Sequence, residues 1–534
     1  MKKKFEAFVY INHVFAIALM LFALPLNNNL MSIAGFWLAS AWLVDLVYEW
    51  TVGISPLARL RRAFSNPTAL AYMTLFGLCI LGFLWSEDFK FAQWDARTKV
   101  PLFFIPLVLS SYQRIERRHI VWCLYVLLIS LSIAITSCTG RFYKWWGPPY
   151  LNVRDISHFI SHIRFSLLIV FGIVLLIWFA KENRRNLFWV IPLIFYFIFF
   201  LWILQSVTGF AILLALAAYW ILFHAWRTKR MFVRGGLISS LLVFISLVVF
   251  FVNNEVTRYF NPKDAGMAWQ THSAGGEIYD HRWENTLLEN GHYVWRNLAW
   301  NELRRSWNKR SETDFDSLDR SGQLLGGTLI RYLTSKGLNK DSVGMGDLSD
   351  LEIEKIELGI ATAYTEDLQG IKGRIRKILF EFDNYRNGGD PSGNSVLQRF
   401  EFWRAAWCII KEYPLKGVGT GDLKLAYAAQ YEKMDTALDP QYRLRAHNQY
   451  FTYGVAYGIP GVIIFIVVLL ILIFHERRYR DLLFMSYIII MALSFITEDT
   501  LETQAGVTFV AFLGPLLAWL SPSNYTGLNG SPKL

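Results

Sequence analysis

Long apolar runs follow one another at short polar intervals through roughly the first 250 residues and resume at residue 447, leaving a polar stretch of about 190 residues between the two blocks. Runs of this length exceed what a buried soluble helix needs and match the hydrocarbon thickness of a bilayer. They predict spans near 7–26, 30–48, 68–85, 98–112, 119–138, 162–180, 186–204, 207–223, 236–252, 447–474, 481–497 and 505–520, with the weakest apolar pattern at 98–112 and 207–223. The expected fold class is an all-α polytopic integral membrane protein with about twelve transmembrane helices. Its blocks are a membrane block at 1–252, a large loop domain at 253–446, a second membrane block at 447–520 and a tail at 521–534. The start, MKKKFEAFVYINHVFAIALMLFALPL, has the charged and apolar regions of a signal peptide but no small-x-small cleavage site, and reads as the first span.

Basic residues orient the spans. Lys2 to Lys4, Arg59, Arg61, Arg62, Arg114, Arg117, Arg118, Lys181, Arg184, Arg185, Arg227, Lys229, Arg230, Arg234, Arg477, Arg478 and Arg480 all fall on one side of a twelve-span arrangement, which is therefore cytoplasmic. The stretch 139–161, the tight turn at 205–209, the loop 253–446 and the acidic EDTLETQ at 498–504 then share the outer side. The composition agrees: 54% hydrophobic and 18% charged residues with a mean hydropathy of +0.30. The net charge of +11 comes largely from the cytoplasmic anchors, and no DNA-binding motif accompanies it, so it is not a nucleic-acid signature. Cys79, Cys123, Cys138 and Cys408 show no metal spacing.

The loop is too long for a bare connection and should fold as a small domain, with helical patterns near 277–310, 350–383 and 395–412. At its end stands the sequence HNQYFTYGVAYGIPG. Counting 100° per residue, a helix opening at His447 stacks His447, Phe451, Gly454, Gly458 and Gly461 on one face, with glycines that let another element approach. In SVLQRFEFWRAAWCIIKEYP the same count aligns Arg399, Trp403, Ala406 and Ile410, an arginine at the head of an apolar stripe. The bland reading of that arginine is a side chain snorkelling to a membrane surface. The intervening PLKGVGTGD has nucleotide-like glycine spacing, but no strand precedes it and no GKS or GKT follows, so it reads as a turn shaping the mouth of the membrane block.

An arginine and tryptophan helix, Pro and GVGTG, a short helical segment and then H-N-x9-G-x-x-G at 447–461 resemble the O-antigen ligase and polymerase superfamily of bacterial envelope glycan enzymes, most strongly over 395–475. The resemblance implies a GT-C-like, metal-independent glycosyltransferase without cofactors in the bacterial inner membrane. Such an enzyme moves a glycan whole from undecaprenyl diphosphate to an acceptor hydroxyl at the periplasmic face, with lipid A core as the acceptor expected first. Family members often carry an arginine in the turn corresponding to Gln205–Gly209. This chain has none there, so another arginine has to replace it.

The chemistry points to particular residues. A sugar hydroxyl needs a base, and histidine titrates near working pH, which makes His447 the catalytic candidate, with Asn448, Gly458 and Gly461 supporting it. A departing diphosphate needs forked cations: Arg399 first, Arg164 second, then Arg97, Arg404, Arg443 and Arg445 as weaker candidates. Glu498, Asp499 and Glu502 are expected either to orient an arginine or the base, or to tie the mouth together as ion-pair partners. His158 and His162 have a zinc-compatible spacing but no further ligand near them, and no metal site is expected. An O-antigen polymerase and a protein O-glycosyltransferase would use the same groups. A lipid transporter or flippase is the rival from another class, disfavoured because the candidate groups sit at one rim and no repeated halves are evident.

Overall fold

The computed structural model describes residues 2–53, 55–111, 115–147, 153–266, 269–364 and 370–520; Arg114 and the tail 521–534 lie outside the described residues. The chain begins with helices α1 (Lys2–Ala23), α2 (Asn28–Thr51), α3 (Pro56–Phe64), α4 (Pro67–Leu81), α5 (Phe89–Ser111), α6 (Arg117–Phe142), α7 (His162–Glu182), α8 (Leu187–Ile203), α9 (Val207–Arg227) and α10 (Met231–Tyr259). A two-stranded hairpin, β1 (Leu288–Glu289) and β2 (His292–Tyr293), precedes α11 (Trp300–Asn308), α12 (Leu325–Ser335), α13 (Ser342–Gly346), α14 (Asp350–Glu357) and α15 (Gly370–Arg386). The last helices are α16 (Leu397–Glu412), α17 (Leu423–Lys433), α18 (Gln449–Phe474), α19 (Leu482–Thr497) and α20 (Gln504–Thr508), which runs on into π-helical turns ending at Leu520.

Among the described residues nine helices are long and apolar enough to cross a membrane: α1, α2, α4, α6, α7, α8, α9, α10 and α18. Two shorter apolar helices, Leu482–Thr497 and Gln504–Trp519, follow. The protein is a multi-pass membrane protein. Each of the twelve expected spans coincides with a helix, but three fall short of the length or polarity of a free-standing span. The reason for α5 is that Asp95 and Lys99 lie buried in its first half and Pro101 and Pro106 interrupt its second.

Two units make up the chain, Met1–Ala217 with Arg399–Leu534, and Ala218–Gln398. In the first, α4 packs on α5 and α18, α7 packs on α8 and α19, and α1 packs on α2 and α6 around one extended apolar core. The segment 399–446, expected in the loop domain, groups with these membrane helices. The second unit has its own core around Trp307, Leu329, Tyr332, Leu333 and Ile356. The helix expected near 277–310 is confined to α11. Before it the chain reverses at Asn290 and Gly291, both at positive φ, which is the two-residue hairpin turn favoured by Asn-Gly. The pattern at 350–383 resolves into two helices, α14 and α15.

Candidate active site

A proline-glycine joint seats the chain after α16 against α18. Pro414 follows the end of α16, and the chain then lies against α18: Val418 N donates to Val455 O at 2.9 Å, Gly419 N to Ala456 O at 2.9 Å, and Ile459 N to Pro414 O at 2.8 Å. The last bond is possible because α18 is broken at Gly458, whose φ of 68° and ψ of −168° leave the helix. A Cβ there would lie 2.5 Å from Pro414 O, and one at Gly454 would lie 2.6 Å from Ile410 Cδ1. The glycines do admit a neighbouring element, but the break means that the single helical face counted through Gly458 and Gly461 does not persist. The GVGTGD string is equally structural: Thr420 Oγ1 donates to Cys79 O, Gly421 N to Ser86 Oγ, and Asp422 accepts from the amides of Glu87 and Asp88.

His447 is not in the helix. Asn448 is the N-cap of α18, its Oδ1 accepting from Phe451 N and its Nδ2 donating to Ile496 O, so both ends of this amide are engaged within the protein. His447 precedes it at a φ of 46°, a left-handed conformation that side chains seldom adopt and that active sites often hold. Trp403 of α16 fixes the approach by donating to Ala446 O at 3.0 Å, and Phe402 lies against the imidazole with ring centres 5.7 Å apart. About a third of the His447 side chain stays exposed, and its Nδ1 is 3.9 Å from both Glu498 Oε2 and Asp499 Oδ1.

Those carboxylates are held by arginines. Arg399 Nη2 donates to Thr497 O at 3.0 Å and to Glu498 Oε1 at 3.2 Å. Arg445 reaches Asp499 with Nε at 2.8 Å and Glu502 with Nη1 at 3.2 Å. Burial pushes the Glu498 and Asp499 carboxyls up, against the opposing pull of His447 with Arg399 on the first and of Arg445 with His447 on the second. Burial works the same way on Glu502, but Lys99 and Arg445 outweigh it and hold its carboxyl at about 2. Arg164, at the start of α7, stands within electrostatic reach of Glu498, Asp499 and Arg445. Its Nε is buried without a hydrogen-bond partner, as is Asp499 Oδ1.

The structure therefore gathers His447, Arg399, Arg164, Arg445, Glu498, Asp499 and Glu502 where α7 begins, α18 begins and α19 ends. It does not bring in Arg404, which is exposed on another face of α16 beside Glu401, nor Arg443, which pairs with Glu432. Arg97 is exposed on α5. Lys99, Asp95, Gln449 and Tyr427, buried around the same cluster, were absent from the expected set. The available signal was Asp95 and Lys99 one helical turn apart at the entry of the weak apolar run 98–112, where charge is costly and seldom idle.

Residues 358–466 match the model of the O-antigen ligase family. The chain is similar to that family over this segment, which runs from the end of α14 into α18 and includes Arg399, Arg445, His447, Asn448, Gly458 and Gly461. The segment carries the base candidate and two of its arginines, while Lys99, Arg164 and the 498–502 carboxylates come from outside the matched segment. No curated protein is matched by the chain.

Proposed function

We propose that the protein is an O-antigen-ligase-type glycosyltransferase that moves a glycan en bloc from undecaprenyl diphosphate to an acceptor hydroxyl, lipid A core first, at the periplasmic face of the inner membrane. The observation that carries this reading is a half-buried imidazole beside two carboxylates, ringed by cations and by buried polar atoms that the protein leaves unpartnered. Buried polar groups without partners are rare and mark a place where a ligand completes the bonding.

In this reading Nδ1 of His447 faces the carboxylates, so Nε2 is left for the acceptor hydroxyl and takes its proton. Glu498 and Asp499 steady the resulting imidazolium. The acceptor oxygen bonds to the anomeric carbon as the bond from that carbon to the diphosphate breaks, and the charge left on the diphosphate meets guanidinium groups. Arg399 commits Nη2 to Thr497 and Glu498 and leaves Nε and Nη1 for phosphate. Arg164 is the replacement for the arginine missing from the 205–209 turn. A Cβ at Gly209 would lie 3.2 Å from Ser166 Cβ, so the turn packs two residues along α7 from Arg164. The scheme needs no metal.

The test is transfer by the purified protein from an undecaprenyl-diphosphate glycan to lipid A core, with and without chelator. Chelator-resistant transfer supports the proposal, and chelator-sensitive transfer removes its metal-free form. In cells, loss of capped core with retained lipid-linked polymer marks a ligase, whereas capping by single repeats marks a polymerase.

A further inference from the structure

Lys99 is almost completely buried in α5, with Nζ 2.6 Å from Asp95 Oδ2 and 2.9 Å from Glu502 Oε1. Glu502 is also held by Gln449 Nε2 at 3.1 Å and Arg445 Nη1 at 3.2 Å, and Gln449 in turn accepts from Leu501 N. Arg445 Nε continues to Asp499 Oδ2, whose other oxygen faces His447. We infer that Lys99 is a positioning residue of the site: by holding Glu502 it leaves Arg445 free to hold Asp499 at its distance from His447. The inference rests on the reading of His447 as the base.

Charge balance makes the link physical. The cluster holds four carboxylates, Asp95, Glu498, Asp499 and Glu502, and four cations, Lys99, Arg164, Arg399 and Arg445, so these eight charges balance one another. Tyr427 faces the cluster from α17, and Cys79, Tyr453 and Tyr457 face Lys99 from α4 and α18. Removing the ammonium leaves Arg445 as the one cation on Glu502 beside the neutral Gln449 amide, draws Arg445 away from Asp499, and lets an anion close on the imidazole. Removing the Asp95 charge does the reverse, because Lys99 then serves Glu502 only.

The experiment compares wild type, Lys99→Met, Lys99→Arg and Asp95→Asn in two readouts: the acid limb of the pH–rate profile for transfer, and the pH dependence of His447 modification by diethyl pyrocarbonate, followed by peptide mass spectrometry. The expected result is a midpoint about half a unit or more higher in Lys99→Met, lower in Asp95→Asn and restored in Lys99→Arg. A merely structural role lowers yield in both charge-removing variants and moves neither midpoint. Unchanged midpoints, or shifts in the same direction, overturn the inference. If Lys99→Met does not fold, an unshifted Asp95→Asn overturns it equally. Absence of transfer by the wild type defeats the proposed function instead, while the modification titration still reads the coupling to Lys99.

Discussion

An imidazole that must take a proton is useful only if something fixes its direction and something else carries the charge that appears opposite it, and in the proposed function the two tasks fall to different side chains. His447→Ala is expected to lower turnover by a factor of about 10² to 10⁴ while leaving donor binding nearly intact, as read by single-turnover kinetics beside a lipid-binding assay. Arg399→Ala should weaken both binding and turnover, and Arg404→Ala neither, since Arg404 lies on another face of α16. Glu502 gives a pH test. Its carboxyl is held at about 2 in the fold against an ordinary value of about 4.3, so its contribution to stability is full above the ordinary value and is lost as pH falls towards 2. Glu498 and Asp499, raised by burial, act with the opposite sign. Thermal unfolding in detergent should therefore be less acid-sensitive below about pH 4 in Glu502→Gln than in the wild type. Histidine and arginine near an apolar run announce themselves, so His447, Arg399, Arg164 and Arg445 could be nominated from the chain, and the structure brings these four together. Lys99 and Asp95 carried only the faint signal of opposite charges one helical turn apart, because their partner Glu502 lies some 400 residues away.

At the scale of elements, the break in α18 decides how the joint after α16 is seated. Gly458 combines positive φ with a Cβ position 2.5 Å from a backbone oxygen, so Gly458→Ala cannot be relieved by a side-chain rotation. A loss of about 2 kcal/mol or more is expected, seen as a lowered melting temperature, together with reduced transfer because a shift of α18 would move the His447 turn that precedes it. Helical counting placed Arg399, Trp403, Ala406 and Ile410 on one stripe, and Ala406 and Ile410 are indeed buried with Trp403 turned to the His447 loop. The same counting failed along α18, where a non-helical glycine resets the phase. It also took His447 for a helical residue, although the Asn448 side chain after it is the cap that starts the helix.

For the molecule as a whole, the placement of basic anchors predicts that Arg230 and Arg478 face the cytoplasm and that the segment around Asn290 and the 498–504 turn face outward. Single-cysteine labelling with a membrane-impermeant reagent in intact spheroplasts checks this: label at Asn290→Cys and protection at Arg230→Cys is the expected pair. Hydropathy, the spacing of charge and the His-Asn-glycine string were enough to identify a polytopic membrane protein and to nominate a candidate base and candidate arginines, because lipid solubility, helical phase and side-chain chemistry are properties of residues and their near neighbours. Which charges meet is another matter. The balance of Lys99, Asp95, Glu502, Arg445 and Asp499 around one ring exists only once α5, α18 and the turn after α19 are packed together, since an ion pair depends on distance in space and carries no mark in the order of the chain.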